Sequence, residues 1–181
     1  MKKLSIFIIV LSFFATGCLK DDPNVDFSNL GTVVQMPYSG KGFFAQDAVT
    51  DAADTIVKTF TINIASTYPL NKDLNVTVGT DNSLVDEYNA YDPAVHYEAM
   101  PDSAYSFNET TITIPAGSRL DTLQVTFYKT KLDPSKSYLL PISIKDASGE
   151  TISGNMSVHY YHFIGNPIAG SYSWEWIRYN A

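Results

Sequence analysis

Three histidines, a scatter of carboxylates and a C-terminal run of aromatic residues are the groups in this 181-residue sequence that could do chemistry. His159 and His162 are close enough in sequence to suggest a shared metal ion. On a strand, however, residues three apart point to opposite faces and cannot hold one ion between them. His96 stands apart in a polar loop, and the His/Cys spacing of a zinc site is missing. Asp47, Asp51, Asp54, Asp81, Asp86, Glu87, Asp92 and Asp102 do not follow the spacing of an EF-hand loop, so calcium would require loop ends to converge in space. Hydrolysis needs paired carboxylates held at a cleft, or a nucleophile beside a base. These acids fall in turn-like segments, where they act more simply as turn formers. Neither Gly-x-Ser-x-Gly nor His-Glu-x-x-His occurs. The expectation is a chain that is not an enzyme, with no catalytic residue, no metal ligand and no cofactor.

The aromatic run is Ser171-Tyr172-Ser173-Trp174-Glu175-Trp176-Ile177-Arg178-Tyr179, after a linker-like Gly165-Asn166-Pro167 and Gly170. On a strand Tyr172, Trp174 and Trp176 share one face. Such a face suits sugar rings, whose C–H surfaces are apolar while their rims carry hydroxyls. A single strand cannot hide two tryptophans alone. The preferred reading is therefore the first strand of a following domain, its tryptophans facing that domain's core, with glycan stacking as the alternative. Residues 165–181 are expected to be a linker and the start of a truncated domain.

At the other end, Lys2 and Lys3 precede an apolar run from Leu4 to Phe14, then Ala15, Thr16, Gly17 and Cys18. About 20 apolar residues are needed to cross a bilayer, so this run is a secretory signal and not a span. Cys18 is the sole cysteine, and an exported chain with one cysteine has no internal disulfide for it to join. Residues 15–18 resemble the lipobox of bacterial lipoproteins, although the usual leucine three residues before the cysteine is Ala15 here. The resemblance implies cleavage before Cys18 and diacylation of its sulfur; two acyl chains anchor stably. Leu19-Lys20-Asp21-Asp22 resembles the acidic export signal that sends Bacteroidota lipoproteins to the outer face of the outer membrane. Residues 1–17 are thus read as signal peptide, and 18–31 as acylated cysteine and polar tether.

The formal net charge of −7 includes Lys2 and Lys3, which leave with the signal. An acidic chain without lysine or arginine clusters has no means of neutralising phosphates, which excludes nucleic acid as a partner. It is also repelled by anionic lipid, so only the covalent anchor would hold it at a membrane. The 12 Tyr and 10 Phe favour sheets, where aromatic side chains pack a pleated surface.

Alternation confirms that bias. Val33 to Met36 reads as a first strand, followed by a Gly40-Lys41-Gly42 turn. In Thr55 to Ala65, Phe60, Ile62 and Ile64 alternate with Thr59, Thr61 and Asn63. The same period of two recurs at Leu74/Val76/Val78, Ile112/Ile114, Leu123/Val125/Phe127, Tyr138/Leu140/Ile142/Ile144 and Met156/Val158/Tyr160. Turns rich in Gly, Pro, Asn and Asp separate these runs. Asp81 to Tyr91 is the one helix expected, capped by Asp81 or Asn82, with Leu84, Val85 and Tyr88 on one side. Short alternating strands at regular spacing, each with one wet face, specify an all-β, immunoglobulin-like antiparallel β-sandwich with one short helical insert over residues 32–164.

Five pieces in order carry a family resemblance: Leu74-Asn75-Val76-Thr77-Val78; Glu87-Tyr88-Asn89; Met100-Pro101-Asp102-Ser103-Ala104-Tyr105; Ile112-Thr113-Ile114-Pro115-Ala116-Gly117; and Tyr138-Leu139-Leu140-Pro141-Ile142-Ser143-Ile144. Over Val33 to Phe163 they resemble a Bacteroidota surface-lipoprotein domain of unknown function found N-terminal to chitinase-like endoglycosidase domains. That resemblance implies an immunoglobulin-like or Calx-β-like sandwich in a surface system for capturing and degrading glycans. The chain is expected to be a non-catalytic spacer or glycan-binding module, lipid-anchored in the outer membrane and facing the exterior. Its expected partners are the membrane through the acyl anchor, and a glycan ligand or a surface transporter complex. The alternatives are a structural or adhesion protein, or the accessory head of a glycosidase whose catalytic part lies elsewhere.

Overall fold

The computed structural model describes residues 31–42, 53–166, 168, 173 and 175. Cys18, Tyr172, Trp174 and Trp176 lie outside the described residues. The elements run β1 (Val33–Gln35), β2 (Thr55–Ala65), β3 (Leu74–Thr80), α1 (Leu84–Tyr91), β4 (Tyr97–Ala99), β5 (Tyr105–Phe107), β6 (Thr111–Ile114), β7 (Leu120–Tyr128), β8 (Ser137–Asp146), β9 (Thr151–Ile152) and β10 (Val158–Phe163). They form two sheets, one ordered β5-β7-β2-β1-β9, the other β10-β8-β3-β6 with β4 also against β8. The fold is the expected immunoglobulin-like sandwich. Its body is antiparallel, and short parallel pairings occur at β1–β9 and β4–β8.

The alternating residues meet between the sheets. Phe60, Ile62 and Ile64 from β2 and Leu123, Val125 and Phe127 from β7 face Val76 and Val78 from β3 and Leu140, Ile142 and Ile144 from β8. The outward positions of β2 and β7 are largely Thr, Asn and Gln, paired across the strands as Thr59 with Gln124 and Thr61 with Thr122. The first sheet therefore keeps its wet face.

The second sheet does not. Every residue from Tyr138 to Ile144 is buried, because α1, with the Tyr97 side chain of the neighbouring strand β4, covers the outside of β8 and β10. Val85 and Tyr88 of α1 pack with Tyr97, Leu139 and Tyr160 in a second apolar cluster. This corrects the expected phase of the last strand. Val158 and Tyr160 belong to this outer layer, while Tyr161 points into the sandwich core. A slip of one residue moves a strand's side chains to the other face.

Pro141 sits inside β8, where a missing N–H would normally break a ladder. It is tolerated because β8 changes neighbours there. Ile142 pairs with Thr80 of β3 and Leu139 with Ala99 of β4. The Pro141 carbonyl accepts a bond from Asp81 N (3.2 Å) in the gap between them.

The register also fixes the ends of the sandwich. Val33 pairs with Ala65 and Thr151 at one pole, beside the turn that follows Asp146. Phe163 pairs with Tyr138 at the start of β8, at the opposite pole. There the Gly165 amide donates to Ser137 Oγ (3.0 Å) and the Asn166 amide to Pro134 O (2.9 Å). The chain enters the domain at one end and leaves at the other.

Candidate functional site

The helix that covers the second sheet also builds the wall of a groove. α1 starts after Ser83, with Leu84 N and Val85 N donating to the carbonyls of Asp81 and Asn82. Ser83 supplies no side-chain cap to the helix; its hydroxyl donates to Asp81 Oδ1 (2.5 Å). Asp81 Oδ2 pairs with Lys145 Nζ (2.9 Å). These bonds, first from Ser83 and then from Lys145, hold the Asp81 carboxyl below the usual carboxylate range. Asn89 ties the helix to β4: its Nδ2 donates to Tyr97 O (2.9 Å), and Tyr97 N donates to its Oδ1 (2.8 Å).

Under the helix lies a nest of rings. Tyr88 is centred 5.0 Å from both Tyr160 and His162 and 5.8 Å from Tyr97. Burial pushes the Tyr97 and Tyr160 phenols up to about 12, and Tyr88 further still. The Tyr88 hydroxyl donates to Lys41 O (3.2 Å), fixing the 36–42 loop against the helix.

That loop forms the second wall. Gly40 has φ +99°, its amide donates to Val158 O (3.0 Å), and an added Cβ would lie 3.3 Å from Asn155 O. The positive φ calls for glycine, and a Cβ would also crowd the Asn155 carbonyl. Ser153 stabilises the third side: its hydroxyl donates to Asn155 Oδ1 (3.0 Å) and accepts from Met156 N (3.2 Å).

Between these walls is a groove of about 430 Å³, lined by Gly40, Lys41, Leu84, Glu87, Gly154, Asn155, Ser157, Val158 and Tyr160. Lys41 Nζ is ion-paired with Glu87 and lies 5.7 Å from the centre of the Tyr91 ring. Leu84, Glu87 and Tyr91 fall three and four residues apart, a stripe along one side of the helix. Tyr91 is 58% exposed. The lining offers an amide, a hydroxyl, one neutralised ion pair and apolar patches. The two carboxylates or nucleophile–base pair required for hydrolysis are not among the described lining residues.

The other candidates are dispersed. His159 stacks on Phe60 (5.9 Å) and His162 packs edge-on to Tyr88 and Tyr97, so the two point to opposite faces of β10. His96 is exposed. Asp102 accepts a bond from the Tyr105 hydroxyl (3.0 Å), and Asp92 Oδ1 accepts from Ala94 N (3.3 Å) in a turn. Among the described residues no cluster of His, Cys, Asp or Glu could hold a metal ion. Lys41, Tyr91, Asn155 and Ser157 were not singled out by sequence. The spacing of Leu84, Glu87 and Tyr91 is the one local signal that marks the groove wall.

A family model described as an N-terminal domain matches residues 28–151 of the sequence. The chain belongs to that family. This bears out the resemblance read from Val33 to Phe163. None of the curated proteins matches the chain. Among solved structures, it is similar to a candidate carbohydrate-binding protein from Bacteroides ovatus, with 23% identity and a TM-score of 0.55 over 65% of this chain and 34% of that one. It is also similar to EndoBT-3987 of Bacteroides thetaiotamicron, solved with a Man5GlcNAc product (18% identity, TM-score 0.55, 67% of this chain and 28% of that one). A third is a two-domain protein of unknown function from Bacteroides fragilis (15% identity, TM-score 0.55, 75% and 46%). At these identities the likeness establishes the shared fold. The chain spans 34–45% of the length of the first three solved structures it matches.

Proposed function

We propose that this family member is a lipid-anchored protein of the outer membrane, facing the exterior, whose sandwich is a non-catalytic in-line spacer in a surface glycan-utilisation system. The observation that carries this reading is the placement of entry and exit at opposite poles. The first strand begins at Val33 at one pole and the last ends at Phe163 at the other; on this reading residues 18–31 are the tether that joins the first pole to the acylated Cys18. β2 alone has 11 residues, which at about 3.3 Å each span about 35 Å between the poles. A domain threaded in this way converts its own length into distance from the membrane. The acidic charge favours the same posture, since an anionic leaflet repels the domain instead of drawing it flat. The glycan setting is supported by the sandwich shared with a candidate carbohydrate binder and with an endoglycosidase.

Neutron reflectometry on the acylated full chain in a supported bilayer tests the spacer reading. The expected profile is a thin, hydrated tether layer and then a dense layer about 35 Å deep. A dense layer in contact with the headgroups, thinner than the sandwich is long, would overturn it.

A further inference from the structure

We propose that the groove between α1 and the loops at 40–42 and 154–158 is a saccharide-binding site, selective for uncharged pyranosides. The ligand class rests on the glycan setting proposed above; the site itself rests on its geometry. Its volume of about 430 Å³ lies within the ordinary range of small-molecule sites, about 300–1,000 Å³. That volume suits a short glycan segment instead of an extended polymer.

Sugar recognition asks for a ring face to meet the C–H side of a pyranose, and for polar groups to meet its hydroxyl rim. The groove supplies both. Tyr91 adjoins the lining through Lys41, whose Nζ lies over one face of its ring, and is one helical turn from Glu87; at 58% exposed it keeps ring surface for a pyranose. Asn155 and Ser157 face this wall from the other side of the groove, and Leu84 and Val158 supply the apolar patches between. The Asn155 carbonyl oxygen already accepts the Ser153 hydroxyl, which leaves its amide N–H groups as donors to a ligand.

Charge sets the class. Lys41 and Glu87 are paired with each other, so the groove carries no uncompensated charge. An acidic sugar would have to displace Glu87 from Lys41 while approaching a chain of net charge −7. A neutral sugar can accept from the ammonium and donate to the carboxylate without breaking the pair, since each charged group has bonding capacity to spare.

Chemical-shift titration of the full chain tests the assignment, with neutral gluco-, manno- and galacto-configured disaccharides and a glucuronic-acid disaccharide as the charged comparator. Saturable shifts at Gly40, Lys41, Gly154 and Asn155 with at least one neutral disaccharide are expected. Tyr91→Ala should weaken that binding about tenfold, the scale of one lost aromatic contact, while Tyr91→Phe should retain it. Asn155→Ala should weaken it as well; because Asn155 Oδ1 also accepts the buried Ser153 hydroxyl, the thermal midpoint should fall slightly while the β2 and β7 signals keep their dispersion. No saturable shift with any neutral disaccharide, equal binding by Tyr91→Ala and Asn155→Ala, or preference for the acidic comparator would each overturn the proposal. The two readings fail separately. The reflectometry profile does not depend on these substitutions, and saccharide binding does not depend on how far the domain stands from a bilayer.

Discussion

Acid should loosen this domain through one buried ring. His162 is 2% exposed and packs edge-on to Tyr88 and Tyr97. Burial drives its pKa from 6.5 down to about 4; Asp92 pulls it back slightly, and His159 adds to the depression. The unfolded chain therefore takes up a proton as pH falls through 6.5, whereas the folded chain stays neutral there until about 4. Stability from this group is complete above 6.5 and is lost as pH falls toward about 4, because the unfolded state binds more protons throughout that window. At about 1.36 kcal/mol per pH unit, the window is worth about 3 kcal/mol. Urea unfolding of the full chain at about pH 7.5 and about pH 4.5 should resolve most of that difference. Asp81 and Asp133, whose carboxyl values are lowered from 3.8, lose their contributions at pH values below this comparison. His162→Phe keeps a ring between the tyrosines and removes the titration, so its stability should change far less between the two conditions. A variant that loses as much stability in acid as the parent would refute the assignment to His162. A parent that loses none would refute the burial argument itself.

Phe127 is fully buried with its ring 5.2 Å from Tyr161, so Phe127→Ala should cost about 3–5 kcal/mol in denaturant unfolding. Asn89→Ala removes the clamp on the backbone of Tyr97 and should cost about 2 kcal/mol. Hydrogen exchange should rise across α1 and β4 in that variant, while β2 and β7 stay protected. A Cβ at Gly165 would lie 2.3 Å from Lys136 O, whereas one at Gly154 meets nothing within 4 Å. Gly165→Ala should therefore lower the thermal midpoint and Gly154→Ala leave it in place; equal midpoints would contradict the close approach at Lys136. Cys18→Ser should abolish incorporation of labelled fatty acid and release the protein from the membrane fraction. Retention of either would remove the anchor from the proposal.

The sandwich was legible wherever one face of a strand is wet. β2 runs from Thr55 to Ala65, the bounds that alternation suggests, because threonines and Asn63 on its outer side leave the apolar set unambiguous. The same signal fails in β10. Val-His-Tyr-Tyr-His-Phe is buried along four consecutive residues, and burial on both faces erases the period of two. Its phase was misread for that reason. The helix stripe of Leu84, Val85 and Tyr88 was visible, but not the surface on which it packs. The groove was less legible still. Lys41 stands in what reads as a glycine turn and meets Glu87 46 residues away, a contact that no local pattern encodes. The tryptophans that drew attention in the sequence fall outside the described residues.

The helix layer is the part of the fold that an in-line spacer does not require. Spacing follows from the sandwich, whose core is complete without it: Phe60, Leu123, Phe127 and Ile142 meet between the sheets, not under the helix. The outer layer instead places Tyr91 and Glu87 against the Lys41 loop and leaves the groove between them. Its ionic character is muted by construction. The one ion pair in the described lining is internally compensated, and the Tyr160 phenol, uncharged at neutral pH as any tyrosine is, is moved still further from ionising by burial, up to about 12. A site of this kind gains little from long-range attraction. Affinity for a neutral disaccharide should therefore hardly change between about 0.01 M and about 1 M salt, a range over which the screening length falls from about 30 Å to about 3 Å. A steep fall in affinity with salt would mean that the ligand engages Lys41 or Glu87 as a free charge, and that the pairing of the two does not survive binding.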